Sequence, residues 1–142
     1  MIQITITRTI PFGSISSSLL KEAGALVLRS EKKKNVDLHV VFVDDRGIRK
    51  INRKFFSRDA ATDVITFPLE EFPRLEGEVY ISIETARRQA KAYRVSLTNE
   101  LARLVIHGVL HLCGYDDIAS VTRKKMKMKE EFYLTQLFSQ SV

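Results

Sequence analysis

The chain has 142 residues, of which 44% are hydrophobic and 28% charged, which suits one globular domain spanning 1–142 with a real core. No apolar run reaches the ~18 residues of a membrane span, and the opening MIQITITRTIPFG lacks the apolar core of a signal peptide. One cysteine excludes an internal disulfide and points to the cytoplasm, while a net charge of +6 tilts the partner toward a polyanion such as RNA.

Residues 2–7 (IQITIT) alternate as a strand. Residues 14–30 carry apolar positions at helical spacing behind a serine cluster that can cap a helix. A charged loop follows at 31–35. Residues 36–43 (VDLHVVFV) read as a largely buried strand. Asp44 or Asp45 can cap a helix over roughly 46–55. Residues 62–67 (TDVITF) form a short strand expected to end at Pro68, with a loop or hairpin connection over 69–76. Residues 77–83 alternate again as a strand, and a helix follows from about Glu84 to Tyr93. The next helix begins near Ser96 or Thr98, with Leu101, Leu104, Val105, Gly108 and Leu112 on one apolar stripe. Gly114 is its stop. A last helix over roughly 119–138 is lysine-rich on one side, with Met126, Phe132, Tyr133 and Leu137 available for packing. This order predicts an α+β fold, a small mixed sheet covered by helices, with a metal site on the final helices.

His107 and His111 lie four residues apart in the fourth helix, so both imidazoles point the same way. Gly114 permits a turn that returns a carboxylate toward them. Asp117 falls at the spacing H-x3-H-x5-ligand of zincin-like metal helices, while Asp116 needs a tighter turn. Two imidazoles and a carboxylate are a three-ligand zinc set with an open position, although nickel and other divalent ions accept the same donors. A zincin peptidase carries glutamate after its first histidine as general base. Here that residue is Gly108, which disfavours peptide hydrolysis. Cys113 reads as a structural thiol and His39 as an ordinary sheet histidine.

The run from His107 to Asp117, HGVLHLCGYDD, resembles the H-G-x-L-H-L-x-G-Y-D-H hallmark of the YbeY family of bacterial endoribonucleases, also called rRNA maturation factors. A second block, with Asn52, Asp59, Thr62, Asp63, Val64, Ile65, Thr66, Phe67 and Pro68, is similar to that family's N-x(6)-D-x-x-T-[DN]-V-[LI]-[ST]-F-P. A third, Gly77-Glu78-Val79-Tyr80-Ile81-Ser82, is similar to its G-[DE]-[IV]-x-I-S strand. The resemblance implies a single α+β domain with one zinc held by three ligands at a helix end. It also implies single-strand-specific endoribonuclease activity in 16S rRNA 3′-end maturation and ribosome quality control. The partners implied are rRNA, the small ribosomal subunit and ribosomal proteins.

Two positions depart from the pattern. Asp117 stands where the family usually has histidine; a carboxylate keeps a zinc ligand and lowers the net charge of the centre. Phe56 stands where the family commonly has an arginine, with Arg58 and Arg53 close enough to substitute, and Phe56 itself reads as a core residue. Arg58 is the expected catalytic residue. Arg58, Arg87 and Arg88 are candidates to hold a single strand, against solvated charge as the simpler reading for each. The competing functions are a ribosome-assembly factor with a structural metal and a metallohydrolase on another substrate.

Overall fold

A computed structural model describes residues 1–139. In chain order the elements are β1 (Ile2–Arg8), α1 (Ser17–Ser30), β2 (Val36–Val43), α2 (Asp45–Phe56), β3 (Val64–Glu70), β4 (Leu75–Ser82), α3 (Ile83–Tyr93), α4 (Leu97–Leu112) and α5 (Ser120–Ser139). The strands form one sheet in the order β1-β2-β4-β3. β1, β2 and β4 run parallel, and β3 lies antiparallel against β4 as an edge. The fold is α+β with a mixed sheet, as the element order predicts.

Helix starts follow local chemistry. Ser16, Asp44, Ser82 and Ser96 each accept a hydrogen bond from the backbone N–H three residues on, which satisfies an otherwise unpaired helical donor. The cap of α2 is therefore Asp44, and that of α4 is Ser96. In α1 the serine cluster precedes the helix, which begins at Ser17 rather than at 14.

β3 departs most from expectation. It starts at Val64, because the Asp63 carboxylate accepts the Val64 N–H, and it runs through Pro68 to Glu70. An edge strand has one side free of ladder bonds, so a residue without an N–H is tolerated there. The pairing to β4 shifts register between Pro68 and Glu70. The expected 69–76 connection is therefore half strand, and the hairpin connection itself is confined to 71–74.

Strand alternation divides the interior. Leu38, Val40 and Phe42 of β2, with Val79 and Ile81 of β4, face α1 and α4 in the main core. Val43, Ile48 and Ile65 make a smaller cluster on the other face, beneath α2, with Phe67 and Tyr80 packed against it. α4 is buried along most of its length. Two glycines set its distance from the sheet. A Cβ at Gly108 would fall 2.6 Å from Val79 Cγ1, and one at Gly77 would fall 2.6 Å from Leu112 Cδ2. In α5, Met126, Tyr133 and Leu137 pack inward, but Phe132 faces solvent.

Candidate metal centre

The last two turns of α4 carry His107 and His111, with ring centroids 4.8 Å apart. The helix ends at Cys113, and Gly114 follows at φ 102°, a left-handed conformation that disfavours any side chain. Its N–H and that of Tyr115 donate to the carbonyls of His111 and Leu110, closing the turn. Tyr115 then donates its hydroxyl to Glu31 Oε1 at the end of α1. Arg123 of α5 donates to the backbone carbonyls of Asp117 and Ile118. The turn is thus held from both sides, and it returns Asp117 to the histidines.

Asp117 Oδ2 lies 3.6 Å from His107 Nε2, and its Oδ1 lies 3.8 Å from His111 Nε2. The donor atoms of the three residues all fall within 4.8 Å of one another. Ligands at about 2.0–2.2 Å from a tetrahedral zinc stand roughly 3.3–3.5 Å apart, so a small contraction closes this set around one ion. Asp116 is engaged elsewhere. Its Oδ1 accepts the Ile118 N–H, and hydrogen bonds from Thr122 and then Ile118 hold its pKa below the ordinary carboxylate value.

A residue absent from the sequence expectations completes the site. Glu130 of α5, nearly fully buried, places Oε2 at 2.6 Å from His107 Nδ1. A proton on Nδ1 leaves the Nε2 lone pair facing the donor set, the arrangement in which a carboxylate fixes the tautomer of a metal-binding histidine. Glu130 Oε1 accepts from Arg103 Nη1 at 3.0 Å. Arg103 in turn grips the fully buried Glu100 with Nε and Nη2 at 2.9 and 2.7 Å, and Gln89 donates to Glu100 at 2.6 Å. A chain of charge-assisted hydrogen bonds thus runs from α3 to His107, and it satisfies every buried carboxylate on its path.

The electrostatics follow. Burial alone lowers the His107 pKa, but the Glu130 hydrogen bond and charge, with Asp117 and Asp63, more than offset it, so His107 is raised. Burial, and then the neighbouring His107, lower His111. Burial opposes ionisation of Glu130, yet His107 and Arg103 hold its pKa below the ordinary value.

The histidines and Asp117 open into a cleft of about 740 Å³ along the β3 edge. Its lining also includes Arg58, Asp59, Asp63 and Thr66 of the 58–66 segment, with Phe56 at the end of α2. Arg58 makes no ion pair among the described residues. Arg53 lies 3.9 Å from Asp59, which Arg49 grips at 2.8 and 3.0 Å. Phe56 is not a core residue: α2 ends there, and its ring is 50% exposed. Arg87 and Arg88 sit on α3 outside the cleft, and Arg88 is bound to Asp45 at 2.8 Å. His39 lies on β2, exposed, 3.4 Å from Asp37. Cys113 is outside the donor set, and burial pushes its thiol up to about 11.

Comparison with known proteins agrees with this geometry. The family model described as Endoribonuclease YbeY matches residues 8–138. This chain belongs to the YbeY family. The Endoribonuclease YbeY of Chloroherpeton thalassium is 40% identical over 135 residues, 95% of each chain. That of Endomicrobium trichonymphae is 46% identical over 121 residues, 84% of each chain. A solution structure from Thermotoga maritima, 31% identical, covers 97% of this chain and 91% of its own, with a TM-score of 0.70.

Proposed function

We propose that this YbeY-family chain is a metal-dependent, single-strand-specific endoribonuclease that works on rRNA at the 16S 3′ end and in ribosome quality control. We assign it one catalytic domain, residues 1–142, and a cytoplasmic setting beside the small ribosomal subunit and its proteins. No helix among the described residues is long and apolar enough to cross a membrane. The observation that carries the reading is the convergence of His107, His111 and Asp117 in a cleft that is also lined by Arg58, a cation with no ion pair among the described residues.

The donor set fits zinc in residue type, in spacing and in the carboxylate of Glu130 held against His107 Nδ1, with other divalent ions accepting the same ligands. Bound there, the ion supplies Lewis acidity toward a phosphodiester. The chain's own residues do the rest. Glu130 keeps a proton on His107 Nδ1 and aims Nε2. The Gly114 turn, held by Tyr115 and Arg123, fixes Asp117. Arg58 is the expected catalytic side chain, neutralising charge on the phosphoryl oxygens as it builds.

Purified protein with its metal content measured, incubated with single-stranded RNA and with casein, tests the reading. RNA alone is expected to be cut, and His111→Ala and Arg58→Ala to abolish or slow the cut. RNA cleavage that survives His111→Ala refutes the assignment. Stoichiometric metal with no cleavage supports instead an assembly factor with a structural ion.

A further inference from the structure

Two adjacent phenylalanines at the end of α2 are left in water. Phe55 is 58% and Phe56 50% exposed. Such a pair is costly to leave uncovered, and its placement is fixed rather than loose. α2 stops at Ser57, whose φ of 56° turns the chain away and presents both rings. Phe67 of the edge strand meets Phe55 edge-on, with centroids 5.1 Å apart at 67°. The same ring meets Phe56 nearly face to face, at 5.7 Å and 18°. Phe67 itself rests edge-on against Tyr80 at 5.8 Å, on the small core of Val43, Ile48 and Ile65. Phe56 is therefore backed by a ring anchored in the sheet, and half of its surface stays exposed.

The open ring belongs to the same cleft as His107, His111, Asp117 and Arg58. Cations border it. Arg58 is exposed and unpaired among the described residues, and Lys54 Nζ lies 5.3 Å from the Phe55 centroid. A flat, rigid apolar surface next to unpaired positive charge and a phosphodiester site matches a nucleotide, whose base has a π-face and whose backbone is anionic. A purely apolar protein partner would not use the cations.

We propose that Phe56, backed by Phe67 and flanked by Phe55, is a stacking platform for one nucleobase of a single-stranded RNA whose neighbouring phosphate enters the metal cleft. The inference rests on the endoribonuclease reading. A base inside a duplex is already stacked on both faces and cannot reach the ring, so the platform selects unpaired segments and sets the position of the cut relative to the stacked base.

The chain has no tryptophan, so Phe56→Trp introduces a single fluorescent reporter at the platform. A 2′-O-methylated single-stranded octanucleotide, titrated into the metal-loaded protein, is expected to quench it, and the matching duplex is not. Phe56→Ala is expected to weaken binding of the single strand roughly 10- to 100-fold, while Phe56→Trp retains it. Because the ring is half exposed, circular dichroism of Phe56→Ala is expected to match the parent. An abasic position scanned along the octanucleotide is expected to weaken the parent at one site and to leave Phe56→Ala unaffected there. Equal affinity of Phe56→Ala and parent, or an abasic penalty equal in both, overturns the platform while leaving the nuclease reading intact. Loss of co-sedimentation with small ribosomal subunits at unchanged octanucleotide affinity also overturns it, in favour of a protein-binding patch. No binding of RNA by the parent overturns both readings.

Discussion

Glu130 is the residue whose removal most directly tests how the centre is built. It is 23 positions from His107 in sequence, yet it holds Nδ1 at 2.6 Å and is itself held by Arg103 at 3.0 Å. In Glu130→Ala the His107 ring loses its acceptor, and both its tautomer and its rotation become free. Loss of such an outer partner typically lowers metal affinity 10- to 100-fold, or about 1.4–2.8 kcal/mol. The folded state also suffers. Removing one member of a buried charged pair costs about 3–5 kcal/mol. Arg103 keeps its bidentate bond to Glu100, so the low end of that range is expected here. Glu130→Gln retains a carbonyl oxygen for His107 Nδ1 but turns an amide N–H₂ toward Arg103. It is expected to lose less affinity, up to about tenfold.

The assay is zinc competition against a chromophoric chelator at a temperature where all variants are folded, with thermal melts run alongside. Nitrogen-15 NMR of the metal-free protein, recorded at alkaline pH where His107 is neutral, reports the tautomer. Protonation at Nδ1 is expected in the parent, and a mixture in Glu130→Ala. A folded Glu130→Ala that binds zinc within twofold of the parent, with His107 still protonated at Nδ1, refutes the orienting role.

Four further outcomes are expected. Gly108→Ala places a methyl 2.6 and 3.0 Å from the two Val79 methyls, so it should destabilise by about 1–3 kcal/mol, read as a lower melting temperature; an unchanged melt refutes the close approach of α4 to β4. Asp117→Ala should lower zinc affinity sharply while Asp116→Ala changes it little, since only Asp117 reaches both Nε2 atoms; equal losses would contradict that assignment. Asp63→Asn should leave cleavage within a few-fold, because an amide oxygen can also accept the Val64 N–H, whereas Asp63→Ala should lower the melting temperature; a large activity loss in Asp63→Asn would mean that the charge itself matters. Burial opposes ionisation of Glu31, but hydrogen bonds from Tyr133 and Tyr115, with Lys129, hold its folded pKa below the ordinary 4.5. Its contribution is therefore present above pH 4.5 and lost as pH falls through the lower folded value, so the stability gap between parent and Glu31→Gln should close on acidification; a gap constant down to pH 3 refutes this.

The sheet and helices were legible because their periods are strong. β2 matches its expected limits of 36–43, and the other helices and strands differ by a few residues at their ends. The centre was half legible. His107 and His111 share a helical face by spacing alone, and Gly114 marks the turn. Glu130 was hidden in KKMKMKEEF, which reads as solvated charge. The signal was nonetheless present: Met126, Glu130, Tyr133 and Leu137 recur at helical spacing, and this is the buried face of α5. A carboxylate on an apolar stripe requires a partner, and the partner is His107. Glu31 escaped in the same way, as part of a charged loop, although two tyrosines donate to it. Phe56 failed in the opposite direction. Its hydrophobicity suggested the core, but no local pattern shows that a helix ends on the rim of a cleft.

Gly108 acquires a second meaning once the packing is known. From sequence it is the place where a peptidase would carry glutamate, and its emptiness is an argument about chemistry. In the fold it is an argument about distance. With Val79 Cγ1 at 2.6 Å and Thr66 Oγ1 at 3.3 Å from a Cβ, no side chain fits there without moving α4 off the sheet. Moving α4 would also disturb the contact between His107 and Glu130, because α4 packs against both β4 and α5. A glutamate at 108 would therefore not simply add a base to this centre; it would disturb the contact with Glu130 that orients His107. The same close approach that leaves no room for a glutamate at 108 brings Thr66 of β3 up against α4. The cleft thus lies along the sheet edge, and Phe56 and Arg58 come within its bounds.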